Sequence, residues 1–142
     1  MSPPQTPVNA AGRRVLVVDD SPRARATLAA LLGAVGFTCT EAADGGEAFD
    51  LYLRHSHDLV VTDLEMPKVD GFELMAALGL VPAWRRPPVI VVSAAVDAAQ
   101  RSRPGDLRLA AALLPKPIEA RSLLAAVAGV LSDRPGRRPE EA

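Results

Sequence analysis

Val15-Leu16-Val17-Val18-Asp19-Asp20-Ser21-Pro22 is the stretch that decides the fold. Four apolar, mostly β-branched residues read as a buried strand. Two carboxylates follow at once, and Ser21 with Pro22 reads as a helix cap with proline at the first helical position. A strand that passes through acidic residues straight into a helix opens a βα unit. Working outward, short apolar runs predict further strands at residues 37–40, 59–62, 89–92 and, less sharply, 111–114. Helical spacing lies between them. Leu28, Leu31, Leu32 and Val35 share one face, as do Leu123, Leu124, Val127 and Leu131. Asp44 with Glu47 and Asp70 with Glu73 have capping-box spacing, and Gly36 suits the close of the first helix.

Five strands alternating with five helices imply an α/β fold: a parallel sheet covered on both faces and joined by right-handed crossovers. The pattern occupies residues 13–131, one domain in a chain of 142 residues. Residues 1–12 and 132–142 are rich in Pro, Gly, Arg and Glu and are expected to be mobile tails.

Hydrophobic residues make up 49% of the chain and charged residues 23%, as in an ordinary globular protein. Sixteen basic against 17 acidic side chains leave a net charge of −1, so no overall positive field favours DNA or an anionic membrane. No run of about 18 apolar residues and no signal-peptide pattern occurs, which places the chain in the cytoplasm as an expectation. The single cysteine, Cys39, reads as a small buried strand residue. His55 and His57 read as favourable charges at the end of the second helix. Trp84, beside Arg85 and Arg86, is expected to lie against a neighbouring helix. The basic stretch at 134–139 is followed by Glu140 and Glu141 and is not expected to contact nucleic acid.

In doubly wound sheets functional groups gather beyond the carboxyl ends of the strands. Asp19 and Asp20 follow the first strand, Asp63 the third, Ser93 the fourth and Lys116 the fifth. Three carboxylates crowded in one crevice call for a cation, and an oxygen-only set points to Mg²⁺. A carboxylate beside such an ion, with an ammonium and a hydroxyl at its flanks, suits phosphoryl transfer. Asp63, alone at its strand end, is the candidate acceptor. Only two of the 16 basic residues are lysines, so Lys116, set between Pro115 and Pro117, looks chosen as a compact point charge.

The segments ending in Asp19-Asp20, running from Asp63 through Met66-Pro67 to Asp70-Gly71, at Ser93-Ala94 and at Lys116-Pro117 resemble the receiver domains of two-component response regulators. Their spacings, 43, 30 and 23 residues from Asp20 to Asp63 to Ser93 to Lys116, agree. The resemblance implies a flavodoxin-like fold with strand order 2-1-3-4-5. It implies phosphorylation of Asp63, and Mg²⁺ held by Asp20, Asp63 and the backbone carbonyl of Glu65, with Asp19 acting through water. It implies that Ser93 and Lys116 bind phosphoryl oxygens and that the Lys116–Pro117 bond is cis. The partners implied are a sensor histidine kinase or a histidine phosphotransfer protein, and an unidentified downstream protein. No enzymatic activity beyond the chain's own phosphorylation and dephosphorylation is expected.

Two departures stand out. Receivers usually carry Tyr or Phe where this chain has Leu113, so the aromatic switch partner of Ser93 is missing. Arg103-Pro104-Gly105-Asp106 falls within the fourth helix, which is therefore expected to be short or irregular. As an expectation, residues 95–110 are mobile and order on phosphorylation or partner binding. The expected whole is a single-domain response regulator, with a phosphate-independent interaction module or a hybrid-kinase receiver as alternatives. An aspartyl phosphatase would need Asp-x-Asp after the first strand, which Asp19-Asp20-Ser21 lacks.

Overall fold

Strand β1 (Arg14–Val18) lies inside a parallel sheet, between two other strands, because its side chains from Val15 to Val18 are apolar on both faces. In the computed structural model, which describes residues 10–132, the sheet runs β2-β1-β3-β4-β5. The other strands are β2 (Thr38–Ala42), β3 (Leu59–Thr62), β4 (Val89–Ser93) and β5 (Ala110–Pro115). The helices are α1 (Pro22–Ala34), α2 (Gly45–Arg54), α3 (Gly71–Gly79), α4 (Val96–Ser102) and α5 (Ala120–Ser132). The tails expected at 1–12 and 132–142 lie, apart from residues 10–12 and 132, outside the described residues.

Alternation along the strands builds two cores. Leu16, Val18, Val60 and Val91 face Tyr52 of α2, Leu74 and Leu78 of α3 and Val96 of α4. Val15, Val17, Val61, Ile90 and Val92 face Leu28 and Leu32 of α1 and Leu123 and Val127 of α5. Because both faces are filled, the strand register is fixed, and so are the strand ends that carry the polar residues.

The helix starts follow their caps. The Ser21 hydroxyl accepts from the Ala24 N–H at 3.3 Å, and Asp70 with Glu73 forms a complete capping box. The Asp44–Glu47 pair is only half a box. Asp44 accepts from the Glu47 N–H, but the Glu47 carboxylate reaches back to the N–H of Ala43, one residue before the cap. Strand β2 begins a residue later than expected because Phe37 is used to close α1. Its N–H donates to Leu32 and its ring enters the core, while Gly36 takes φ +105°. Strand β5 is longer than expected and takes an irregularity: Val89 pairs with Ala110 but Ile90 with Ala112, leaving Ala111 as the extra residue.

Helix α4 is short, as the Pro-Gly pair implied. It stops at Ser102, and Pro104–Leu107 forms a single 3₁₀ turn. Arg103 joins the two pieces. Its guanidinium stacks 3.7 Å from the centre of the Phe72 ring on α3 and pairs with Asp106 at 3.0 Å. Arg103 thus anchors the junction between the two pieces. That ion pair is exposed and contributes little, so the stacking is the main anchor, about 1 kcal/mol. Replacing Arg103 with alanine is expected to speed amide exchange in residues 99–107 about fivefold. Unchanged exchange there would show that the stack holds nothing.

Two further expectations are corrected. His57 is buried beside the Tyr52 ring, and only His55 sits exposed at the end of α2. Trp84 does not lie against a helix; it is 76% exposed. Cys39 is half-buried in β2, and burial, followed by the nearby charge of Glu41, raises its thiol pKa and keeps it protonated.

Candidate functional site

Because β1 and β3 are neighbours in register, with Val18 opposite Thr62, the residues just beyond them are also neighbours. The Asp63 N–H donates to the Val18 carbonyl at 3.0 Å and carries the pairing one step past the strand ends. Asp19 and Asp63 are buried, at 1% and 7% exposure, whereas Asp20 is exposed. Carboxylate oxygens of all three lie within 4.8 Å of one another.

Each buried carboxylate is held by its own loop. One Asp63 oxygen, Oδ1, accepts from the N–H groups of Leu64 at 2.6 Å and Glu65 at 3.2 Å. Asp19 Oδ1 accepts from the Ser21 N–H at 2.9 Å. The second oxygens converge on one cation: Lys116 Nζ lies 2.7 Å from Asp19 Oδ2 and 2.7 Å from Asp63 Oδ2. Lys116 reaches this point because β5 is placed beside β4, where the Lys116 N–H donates to the Ser93 carbonyl at 3.2 Å. The Lys116–Pro117 peptide is cis.

Burial alone would lower the Lys116 pKa, but the hydrogen bonds to Asp19 and Asp63, with their charges, outweigh it and raise it above the ordinary 10.5. A raised lysine pKa favours the folded state while the amine is charged. That contribution is complete below the unfolded value and is lost as pH rises through the folded one. Stability is therefore expected to fall more steeply in the wild type than in Lys116→Met as pH rises above about 10.5, the ordinary lysine value. Urea midpoints across that range check it, and parallel curves would refute the coupling.

Ser93 is fully buried at the end of β4, and its hydroxyl accepts from the Ala95 N–H at 3.1 Å, the residue that caps α4. Ala94 is exposed in that turn. Met66 is half-buried against the core, Pro67 is exposed, and Lys68 takes φ 66° in the turn before α3. Glu65 is exposed beside Asp63. Leu113 is half-buried on β5 opposite Val91 and packs on the same core.

Two residues join the site without having been assigned a role in it from the sequence, although Gly71 closes one of the quoted segments. Arg25 on α1 donates to the Asp19 carbonyl at 2.8 Å and to Glu41 at 3.3 Å, fixing the loop after β1. Its place four residues after the Ser21 cap was a usable signal, since that spacing turns a helix residue back over its own start. Gly71 brings the start of α3 against the backbone of Asp63, where a Cβ would stand 2.1 Å from the Asp63 carbonyl oxygen.

The donor set fits a hard divalent ion: it is all oxygen, drawn from two adjacent strand ends, with one member open to solvent. Against this geometry, the family model for the response regulator receiver domain matches residues 15–128. The chain belongs to that family. This receiver is 46% identical over 104 residues to the gliding motility regulatory protein of Myxococcus xanthus; the match covers 72% of this chain and 13% of that protein. It is 32% identical over 118 residues to the probable chemotaxis protein CheY of Rhizobium etli, covering 82% of this chain and 91% of that one. Among solved structures, the response regulator TrrA of Thermotoga maritima, in complex with Mg²⁺–BeF, superposes with a TM-score of 0.75 at 26% identity. That superposition covers 84% of this receiver and 99% of TrrA. The chain thus spans only a small part of its Myxococcus relative and nearly all of the CheY-like ones.

Proposed function

We propose that this receiver, a module of two-component signalling, accepts a phosphoryl group on Asp63 from a phosphohistidine of a sensor histidine kinase or phosphotransfer protein. The observation that carries the reading is the Lys116 ammonium, 2.7 Å from both Asp19 and Asp63, within a cluster of three carboxylates. In the transfer, the phosphorus–nitrogen bond of the donor breaks and a phosphorus–oxygen bond to the Asp63 carboxylate forms. The electron pair returns to the donor imidazole.

Asp19, Asp20, Asp63 and the Glu65 carbonyl would hold Mg²⁺, which when bound supplies positive charge for the transferring phosphoryl oxygens. The chain's own groups do the rest. The N–H groups of Leu64 and Glu65 fix one Asp63 oxygen and orient the carboxylate. Lys116 stands ready to leave Asp63 for a phosphoryl oxygen, exchanging one anion for another without leaving the site. The Ser93 hydroxyl would turn to another phosphoryl oxygen and release the Ala95 N–H, so that modification at β3 reaches the start of α4. With Leu113 in the aromatic's place, that movement at α4 is the output we favour, read by a protein partner.

On this reading the chain catalyses only its own phosphorylation and dephosphorylation and acts in the cytoplasm without direct DNA binding. Among the described residues, no helix is long and apolar enough to cross a membrane.

The test is incubation with acetyl phosphate, with Mg²⁺ or with EDTA, followed by intact mass. One phosphoryl group is expected with Mg²⁺ and none with EDTA. No uptake in Mg²⁺ from either acetyl phosphate or phosphoramidate would favour the phosphate-independent module.

A further inference from the structure

The end of the sheet opposite Asp63 carries a second surface. The α3–β4 connection enters β4 at its amino end, so it is separated from the Asp63 end by a strand's length, roughly 16 Å. There Leu80 and Trp84 are 88% and 76% exposed, and Leu53 at the end of α2 is 46% exposed. Large apolar side chains seldom gather in solvent without a use.

This connection is held tightly. Arg86 donates to the carbonyls of Gly79 at 2.8 Å and Val81 at 3.0 Å, tying it to the end of α3. Arg85 donates to the Leu53 carbonyl and the Ser56 hydroxyl, each at 3.2 Å, tying it to the end of α2. The Tyr52 hydroxyl, from the buried side, donates to the Arg85 carbonyl. The loop that carries Trp84 is thereby tied to the end of α2 that carries Leu53. The loop is fixed while its apolar side chains remain outside, the arrangement of a preorganised binding anchor.

Charge decides the occupant. Neither 53–57 nor 79–86 contains a carboxylate, and Arg54 and His55 are exposed beside Leu53. Asp19, Asp20, Asp44, Asp63 and Asp70 gather at the other end, while at this end Asp50, Asp58 and Asp106 are outnumbered by Arg14, Arg54, Arg85, Arg86, Arg103 and Arg108, so this end is cationic on balance. A second copy docking through the same patch would bring two sets of Arg54, Arg85 and Arg86 into one interface. A fluid bilayer gains little from a rigid loop, whereas a shaped protein surface gains much.

We propose that Leu53, Leu80 and Trp84, rimmed by Arg54 and His55, dock an acidic protein segment that presents apolar side chains on one face. The surface works whether or not Asp63 is phosphorylated, because it lies at the other end of the sheet.

Trp84 is the chain's only tryptophan, so its emission reports the patch directly. The probe is a synthetic helical peptide of about four turns with leucine on one face and glutamate elsewhere. Its controls are the lysine counterpart and vesicles of phosphatidylcholine with phosphatidylglycerol. The glutamate peptide is expected to shift Trp84 emission to the blue, saturably, and equally with and without Mg²⁺ and beryllofluoride. Arg54→Glu and Leu80→Ser, both at exposed positions, are expected to weaken it about tenfold each while circular dichroism stays unchanged. No shift, equal binding of the lysine peptide, a shift with vesicles alone, or one that follows protein concentration without peptide would each overturn the proposal. None of these outcomes bears on phosphoryl uptake at Asp63, which is measured separately by mass.

Discussion

Asp63→Asn is expected to take up no phosphoryl group from acetyl phosphate while folding as well as the wild type. The amide oxygen can keep the bonds from the Leu64 and Glu65 N–H groups, so the loop after β3 has its anchor either way. What is lost is the anionic nucleophile, and the nearest other carboxylates cannot replace it. Asp19 is buried with its oxygens committed to the Ser21 N–H and to Lys116, and Asp20, though its carboxylate lies within 4.8 Å of the other two, is open to solvent, where water competes for it. The same substitution removes one of three metal-facing carboxylates. At Mg²⁺ a hundredfold above its dissociation constant, binding stabilises the wild type by about 2.7 kcal/mol, and the variant is expected to gain less than half of that. Thermal midpoints with Mg²⁺ and with EDTA measure the second effect, and intact mass measures the first. Undiminished phosphoryl uptake in Asp63→Asn would move the acceptor elsewhere and remove the proposed function.

These expectations draw on features that are unequally legible in the sequence. Strand runs, caps and the acids after β1 and β3 are local patterns, and each fixes its own element with little help from the rest of the fold. The meeting of Asp19, Asp63 and Lys116 was also legible, because a parallel sheet places successive strand ends side by side. Other features depend on contacts far apart in sequence. Apolarity argues that Trp84 should be buried, but the distant groups that hold Arg85 and Arg86 fix its loop so that the ring faces water. Likewise Glu47 has the spacing of a capping box, but it bonds to Ala43 instead, a choice set by how the chain leaves β2. His57 has the sequence position of a helix-end charge, yet the turn after α2 folds it under Tyr52.

Gly71 is the sharpest case, and its substitution by alanine is expected to destabilise the fold by about 2 kcal/mol or more. Two effects oppose each other. In an open helix, alanine in place of glycine stabilises by about 1 kcal/mol, and nothing in the backbone of Gly71 requires a left-handed conformation. Against this, the new methyl would stand 2.1 Å from the Asp63 carbonyl oxygen and 2.8 Å from Leu64 Cα. Both are backbone atoms, so neither can rotate away as a side chain would. Relief requires the start of α3 to retreat from the end of β3. That start is pinned by the Gly71 N–H bond to Leu64 at 2.9 Å and by the Asp70–Glu73 capping box. Overpacking costs of this kind run to about 3 kcal/mol or more, so the steric effect wins. Because the displaced atom belongs to Asp63 itself, phosphoryl uptake should slow along with the loss of stability. Gly129 in α5 is the control: its added methyl meets nothing within 4 Å, so Gly129→Ala should gain stability, by about 0.5–1 kcal/mol. Urea unfolding of the two variants separates the effects. If Gly71→Ala were as stable as Gly129→Ala, the close approach of α3 to Asp63 would not be what positions the acceptor.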